Sequence, residues 1–371
     1  MKTKQRFVMS PDFIKDLEEF PLSSGKDGFA QDYNRRTFLN NILNSDINVM
    51  FNCPNDEFQH IREDSEYVSW LMQTVAETGI KRIFVSKNAS EMSFLENDSV
   101  PTDMQRNNIY LKSFSESETK AAESHGVLAV TPDEIMSDSS LYGNNGGQMN
   151  SGSKSMWNLK GFKKTCNSII VADKYILTKD KRMNLYPLLD EFIPKQKVDG
   201  FTIFIYTLAD QSNQNEQQYF KSQWTEINRW LKSHRDYEIE LVLYASKNRD
   251  FHNRHILTNY HIVDCPAGFD QVGERDLAQI SNRNGNLAYR TNNAPIKTIS
   301  DSHSTNYNIF FPMFSLMTNS GAMDDYLGSL DEIRKIMDPA KKRLRVDRNY
   351  MARTKTDDIV NSRLFNSLNI E

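Results

Sequence analysis

An α/β protein of two domains is the fold class this sequence predicts, on three observations. Short apolar runs alternate with amphipathic segments in both halves of the chain, the pattern of strands joined by crossover helices. The halves are separated by a stretch poor in apolar residues, which begins SDSSLYGNNGGQMNSGSK at residue 137 and buries too little surface to fold by itself. The 371 residues also exceed what one core of ordinary size holds. The expected layout is a parallel-sheet α/β domain over 1–136, a Gly/Ser/Asn-rich linker over 137–160, an α/β domain with a mixed sheet over 161–337 and a basic segment over 338–371.

In the first half, residues 7–9 form an apolar start, IKDLEEF (14–20) has helical spacing, and SSGKDG (23–28) interrupts the pattern. Residues 38–43 read as a helix, 47–51 as a short buried strand, and 67–78 as an amphipathic helix with Tyr67, Trp70, Leu71 and Val75 near one face. Strands at 82–86, 109–111 and 127–131, with a helix at 116–124, complete a Rossmann-like series. The closing piece, AAESHGVLAVTPDEI (121–135), resembles the last helix-strand-helix of PIN-like nucleases. That resemblance implies carboxylates holding a divalent metal through oxygen ligands. Asp12, Glu77 and Asp103 are available but form no recognisable constellation. Thr131 as a helix cap, Pro132 at the first helical position and Asp133 and Glu134 in the first turn explain the same residues without chemistry. No metal is therefore expected. The glycines after residue 137 lack the spacing of a P-loop or a dinucleotide fingerprint, so no cofactor is expected.

The second half reads as strand 168–177, helix 184–193, strand 201–206, helix 218–233, strand 238–245 and strand 251–260. The last lies in KNRDFHNRHILTNYHIVDCPAGFD (247–270), which gathers His252, Arg254, His255 and His261. In a regular strand His252 and Arg254 share one face, and Asn259 joins them only if a bulge or the strand's end turns it round.

His252-x-Arg254, four residues, then Asn259 resembles the His-x-Lys, four residues, Asp signature of the phospholipase-D-like superfamily. With IIVADKYIL and NLYPLLDEFIP, residues about 167–310 are similar to the degenerate phospholipase-D-like domain of microtubule-interacting-and-trafficking-domain adaptors. The resemblance implies phosphate contacts from His252, Arg254 and Asn259, and a nucleophilic role for His252 if the site turns over. Arginine holds a phosphate at least as well as lysine, through two-pronged charge-assisted bonds. Asn259, however, cannot supply the negative charge that orients a nucleophilic histidine. A second motif is also lacking around His60, His125, His234 and His303, so catalysis would need a homodimer. Without chemistry, Arg254 would form an ion pair with Asp250 or Asp270, and His261 would be a partly buried donor.

The net charge of −4 gives no global attraction to nucleic acid. Any such attraction is local. Residues 338–356 carry seven basic side chains against two aspartates, and Lys341, Lys342, Arg343, Arg345 and Arg348 with Tyr350 make a candidate nucleic-acid strip. Apolar runs fall far short of the ~20 residues of a membrane span, and the start of the chain has no signal-peptide pattern. Three scattered cysteines fit reduced thiols, so a cytoplasmic location is expected. The functional expectation is a non-catalytic or weakly catalytic phosphate-binding component of a bacterial nucleic-acid-processing or defence assembly, with protein partners. A homodimeric, metal-independent phosphodiesterase or nuclease, and a protein- or lipid-binding adaptor, are the alternatives.

Overall fold

The computed structural model describes residues 6–44, 48–78, 83–85, 108–113, 115–137, 147–149, 166–177, 185–208, 216–246, 254–260, 262–264, 305–310, 337–338, 343–344 and 351–353. The chain is an α/β protein. Its first sheet consists of β1 (Arg6–Met9), β2 (Asn48–Phe51), β3 (Ile83–Val85), β4 (Ile109–Leu111) and β5 (Leu128–Val130). These five strands are all parallel, in the order β3-β2-β1-β4-β5. The short apolar start of the chain is thus the central strand, with Phe7, Val8 and Met9 buried toward both faces. A parallel sheet covered on both sides requires such continuous apolar runs.

Helix α1 (Pro11–Glu18) leaves β1 at once, since Pro11 suits the first turn and the Ser10 hydroxyl accepts the Phe13 N–H at 3.3 Å. Helices α2 (Lys26–Asn44), α3 (Asn55–Asp64) and α4 (Glu66–Thr78) follow. Helix α5 (Glu116–Ser124) opens with a reciprocal Ser115–Glu118 capping box. Burial opposes the charge on Glu118, yet hydrogen bonds from Lys112 and Ser115 hold its carboxyl below the ordinary value. Helix α6 (Pro132–Ser137) is capped as its sequence suggests: Thr131 Oγ1 accepts the Glu134 N–H at 3.3 Å, and the Glu134 carboxylate accepts the Thr131 N–H at 3.0 Å.

The second sheet is mixed. It is built around parallel β7 (Ser168–Ala172), β8 (Phe201–Leu208) and β9 (Ile239–Ser246) with antiparallel β10 (His255–Thr258). With β6 (Gly147–Met149), β11 (Ile262–Asp264), β12 (Thr305–Phe310) and β15 (Met351–Arg353), its order is β15-β9-β8-β7-β10-β11-β12-β6. Helices α7 (Leu185–Phe192) and α8 (Glu216–His234) are the crossovers. Ile169, Val171, Ile203, Ile205, Leu241 and Leu243 share a core with Leu189, Ile227 and Leu231 of these helices. The alternate residues Ile170, Ala172, Phe204, Tyr206 and Val242 belong to one continuous cluster with Phe7, Met9, Phe51 and Leu111 of the first sheet. The two sheets therefore share a hydrophobic core.

Polar contacts reinforce that junction. The Tyr260 hydroxyl accepts the Leu128 N–H at 3.0 Å and donates to the Asn108 carbonyl at 3.3 Å. The Asp199 N–H donates to the Ser124 carbonyl at 2.8 Å. Gly126 turns from α5 into β5 at φ +61°, where a Cβ would lie 2.5 Å from the Cys166 carbonyl carbon. Gly126→Ala combines a left-handed backbone penalty of roughly 1–2 kcal/mol with that overlap. Its thermal unfolding midpoint should fall by several degrees, whereas Gly200→Ala, also at positive φ but in open space, should show the backbone penalty alone.

The largest differences from the sequence reading lie in three stretches. Within the expected linker, β6 pairs with β12. In the basic segment, β13 (Met337–Asp338) pairs with β14 (Arg343–Leu344), and β15 adds to the edge of β9. Edge strands are fixed by backbone pairing to distant partners, which composition does not reveal. Of the expected strand over 251–260, residues 251–253 lie outside the described residues, and the rest is β10 ending in a bend at Asn259 and Tyr260, with β11 returning antiparallel.

Candidate functional site

Ligands of open α/β sheets collect outside the carboxyl ends of the parallel strands. At that edge of the second sheet β7 stops because of Asp173. Its carboxylate accepts the Tyr175 N–H at 2.8 Å, a side-chain turn that competes with continued strand. The Asp173 N–H still donates to the Tyr206 carbonyl at 3.1 Å, and Thr207 Oγ1 donates to the Lys174 carbonyl at 3.2 Å. The turn is thereby fixed to β8, with Asp173 and Thr207 buried and Lys174 and Tyr175 partly exposed.

Strand β10 runs antiparallel to β7 with His255 opposite Ala172, so Arg254, one residue earlier, falls beside this turn. The Arg254 guanidinium carbon lies 5.3 Å from the centre of the Tyr175 ring, and Lys174 Nζ lies 5.5 Å from it. An aromatic face attracts both cations and gathers two positive charges at the end of β7. Arginine can meet a phosphate through two parallel N–H donors, while lysine adds a point charge.

Asn259 is not part of this cluster. Residues 255–258 are extended, so Arg254 and Asn259 stand at opposite ends of β10, roughly 16 Å apart at strand rise. The Asn259 side chain is fully buried. Its Oδ1 accepts the N–H groups of Asn167 at 2.8 Å and Ser168 at 2.9 Å, and its Nδ2 donates to Asn167 Oδ1 at 3.0 Å. Asn259 and Arg254 are therefore not brought together in this structure. The spacing that grouped them carries the chain along a strand to the far edge of the sheet.

His252 and His261 lie outside the described residues, as do Lys341, Lys342, Arg345, Arg348 and Tyr350. Arg343 opens β14, opposite Asp338. His125 Nδ1 is 3.8 Å from the Asp199 carboxylate, at the junction between the sheets. Among the described residues no group of three or more His, Cys, Asp or Glu side chains is placed to hold a metal ion, and no helix is long and apolar enough to cross a membrane. Lys174 and Tyr175 were hidden inside an expected strand. The available signal was the aspartate closing the run SIIVA, since Asp favours turn initiation.

No protein-family model matches the chain, and no curated protein matches it significantly.

Proposed function

We propose that this chain is a phosphate-recognising module of degenerate phospholipase-D-like type, binding nucleic acid at the carboxyl edge of its second sheet. The observation that carries the reading is the pair of cations, Arg254 and Lys174, gathered around Tyr175. The fixed guanidinium supplies a directional phosphate contact, the lysine a second charge, and the tyrosine a surface on which a base can stack. The basic segment around Lys341, Lys342, Arg343 and Arg345 supplies a further, diffuse attraction. The combination of domains also suggests a place in a multi-protein nucleic-acid-processing or defence assembly.

The test is incubation of the purified chain with labelled single- and double-stranded DNA and RNA in EDTA. A salt-sensitive mobility shift without cleavage is the expected result. Cleavage abolished by His252→Ala would instead establish a metal-independent phosphodiesterase, and no interaction with any nucleic acid would favour an adaptor. Neutralising Lys341, Lys342, Arg343 and Arg345 together should flatten the dependence of log affinity on log salt by about 0.7–0.9 for each phosphate no longer neutralised. An unchanged slope would make that segment a solvated face only.

A further inference from the structure

We infer a second, independent ligand site between α2 and α4 of the first unit, for a small molecule combining a flat aromatic ring with an anionic group. A cleft of about 340 Å³ opens there, lined by Asp32, Arg35, Arg36, Tyr67 and Trp70 over Leu39, within the roughly 300–1,000 Å³ of small-molecule pockets. Its charged lining is two guanidinia and one carboxylate. Asp32 spends both oxygens on the arginines, accepting from an Arg35 terminal nitrogen at 2.8 Å and from Arg36 Nε at 2.8 Å. The other terminal nitrogen of Arg35 donates to the Glu18 carbonyl at 3.2 Å, while its Nε is buried without an acceptor among the described residues. Arg36, 71% exposed, engages only its Nε, which leaves both terminal nitrogens without a partner among the described residues.

The aromatic half of the site is equally available. Trp70 is 45% exposed, and its indole N–H has no acceptor among the described residues. Folding alone gives no reason to leave a tryptophan in water beside a tyrosine and two arginines, and this combination of side chains dominates binding surfaces. Tyr67, Trp70 and Leu39 also border a small apolar void against Ile14 and Leu71, so the inner wall is apolar and the outer wall cationic. A ring would lie against Trp70 with its anionic group toward Arg36, where a phosphate or carboxylate can take both terminal N–H donors. Glu18, whose backbone carbonyl accepts from Arg35, spends its carboxylate elsewhere, on the Ser65 hydroxyl at 2.6 Å and the Tyr67 N–H at 3.1 Å.

Calorimetric titration of the full chain with adenosine monophosphate tests this, with adenosine, inorganic phosphate and benzoate as comparators. The monophosphate should bind at least about ten-fold more tightly than adenosine or phosphate alone. Arg36→Ala and Trp70→Ala, both at exposed positions, should each weaken it about ten-fold or more without changing the circular dichroism. Arg254→Ala should leave this binding unaltered, which separates it from the cations around Tyr175 on the second sheet. Benzoate binding with the same dependence on Arg36 and Trp70 would support the site with a carboxylate as its anion. No saturable binding of any ring-bearing anion up to millimolar concentration, or binding indifferent to both substitutions, would overturn the inference.

Discussion

Arg235→Ala should cost the protein about 3–5 kcal/mol, since it takes a donor from four backbone carbonyls, each costing about 1–3 kcal/mol where left buried and unpaired. The Arg235 side chain is only 4% exposed, and its guanidinium donates from all three nitrogens. Nε donates to the Pro194 carbonyl at 3.0 Å, one terminal nitrogen to the Asp190 carboxylate and the His234 carbonyl, and the other to the carbonyls of Asp190 and Ile193, each at 2.9 Å. These carbonyls close the ends of α7 and α8, where helices leave acceptors unsatisfied. The Tyr237 hydroxyl adds a 2.6 Å bond to the Pro194 carbonyl, and burial raises the pKa of that phenol, keeping it a donor. Urea unfolding of Arg235→Ala should show the loss as a lowered midpoint. Arg235→Lys should recover only a minor part, because a point-like ammonium with three donors cannot replace a five-donor fork. A wild-type midpoint in Arg235→Ala would mean the clamp contributes nothing, and one in Arg235→Lys that a single ammonium suffices.

Asn259→Ala should be the next most damaging substitution, at about 2–4 kcal/mol, since it strands buried donors at the desolvation cost of each. The orphaned groups would be the N–H donors of Asn167 and Ser168, at the entry to β7. The variant that remains folded should bind nucleic acid with wild-type affinity, because Asn259 is at the opposite edge of the sheet from Arg254. Reduced binding in a variant of normal stability would return Asn259 to the phosphate site.

The sequence was legible where one physical rule sufficed. The strand at 109–111 and the helix at 116–124 match their elements, since apolar runs and a capping box are local signals. Helix α3 was missed because its sequence, NDEFQHIRED, buries only Phe58 and shows little apolar periodicity. Asp173 and Asn259 defeated the reading differently. Asp173 falls inside an expected strand and Asn259 reads as a phosphate contact, yet each spends its side chain on backbone N–H groups, one locally and one 92 positions away. The core common to both sheets was invisible for a related reason: Tyr260 and Leu257 carry no mark of which distant strands they will meet. Arg235 was overlooked because a single arginine after a helix reads as a dipole-stabilising surface charge.

Among the measurements open to this protein, the salt dependence of single-stranded oligonucleotide binding by Arg254→Ala and Lys174→Ala bears most directly on the phosphate-binding reading. Each substitution removes one cation from the Tyr175 ring. Each should reduce the slope of log affinity against log salt by about 0.7, one single-strand phosphate contact, with the thermal unfolding midpoint unchanged. Wild-type affinity and slope in both variants, or unfolding of the chain when Arg254 is replaced, would contradict a phosphate site beside Tyr175.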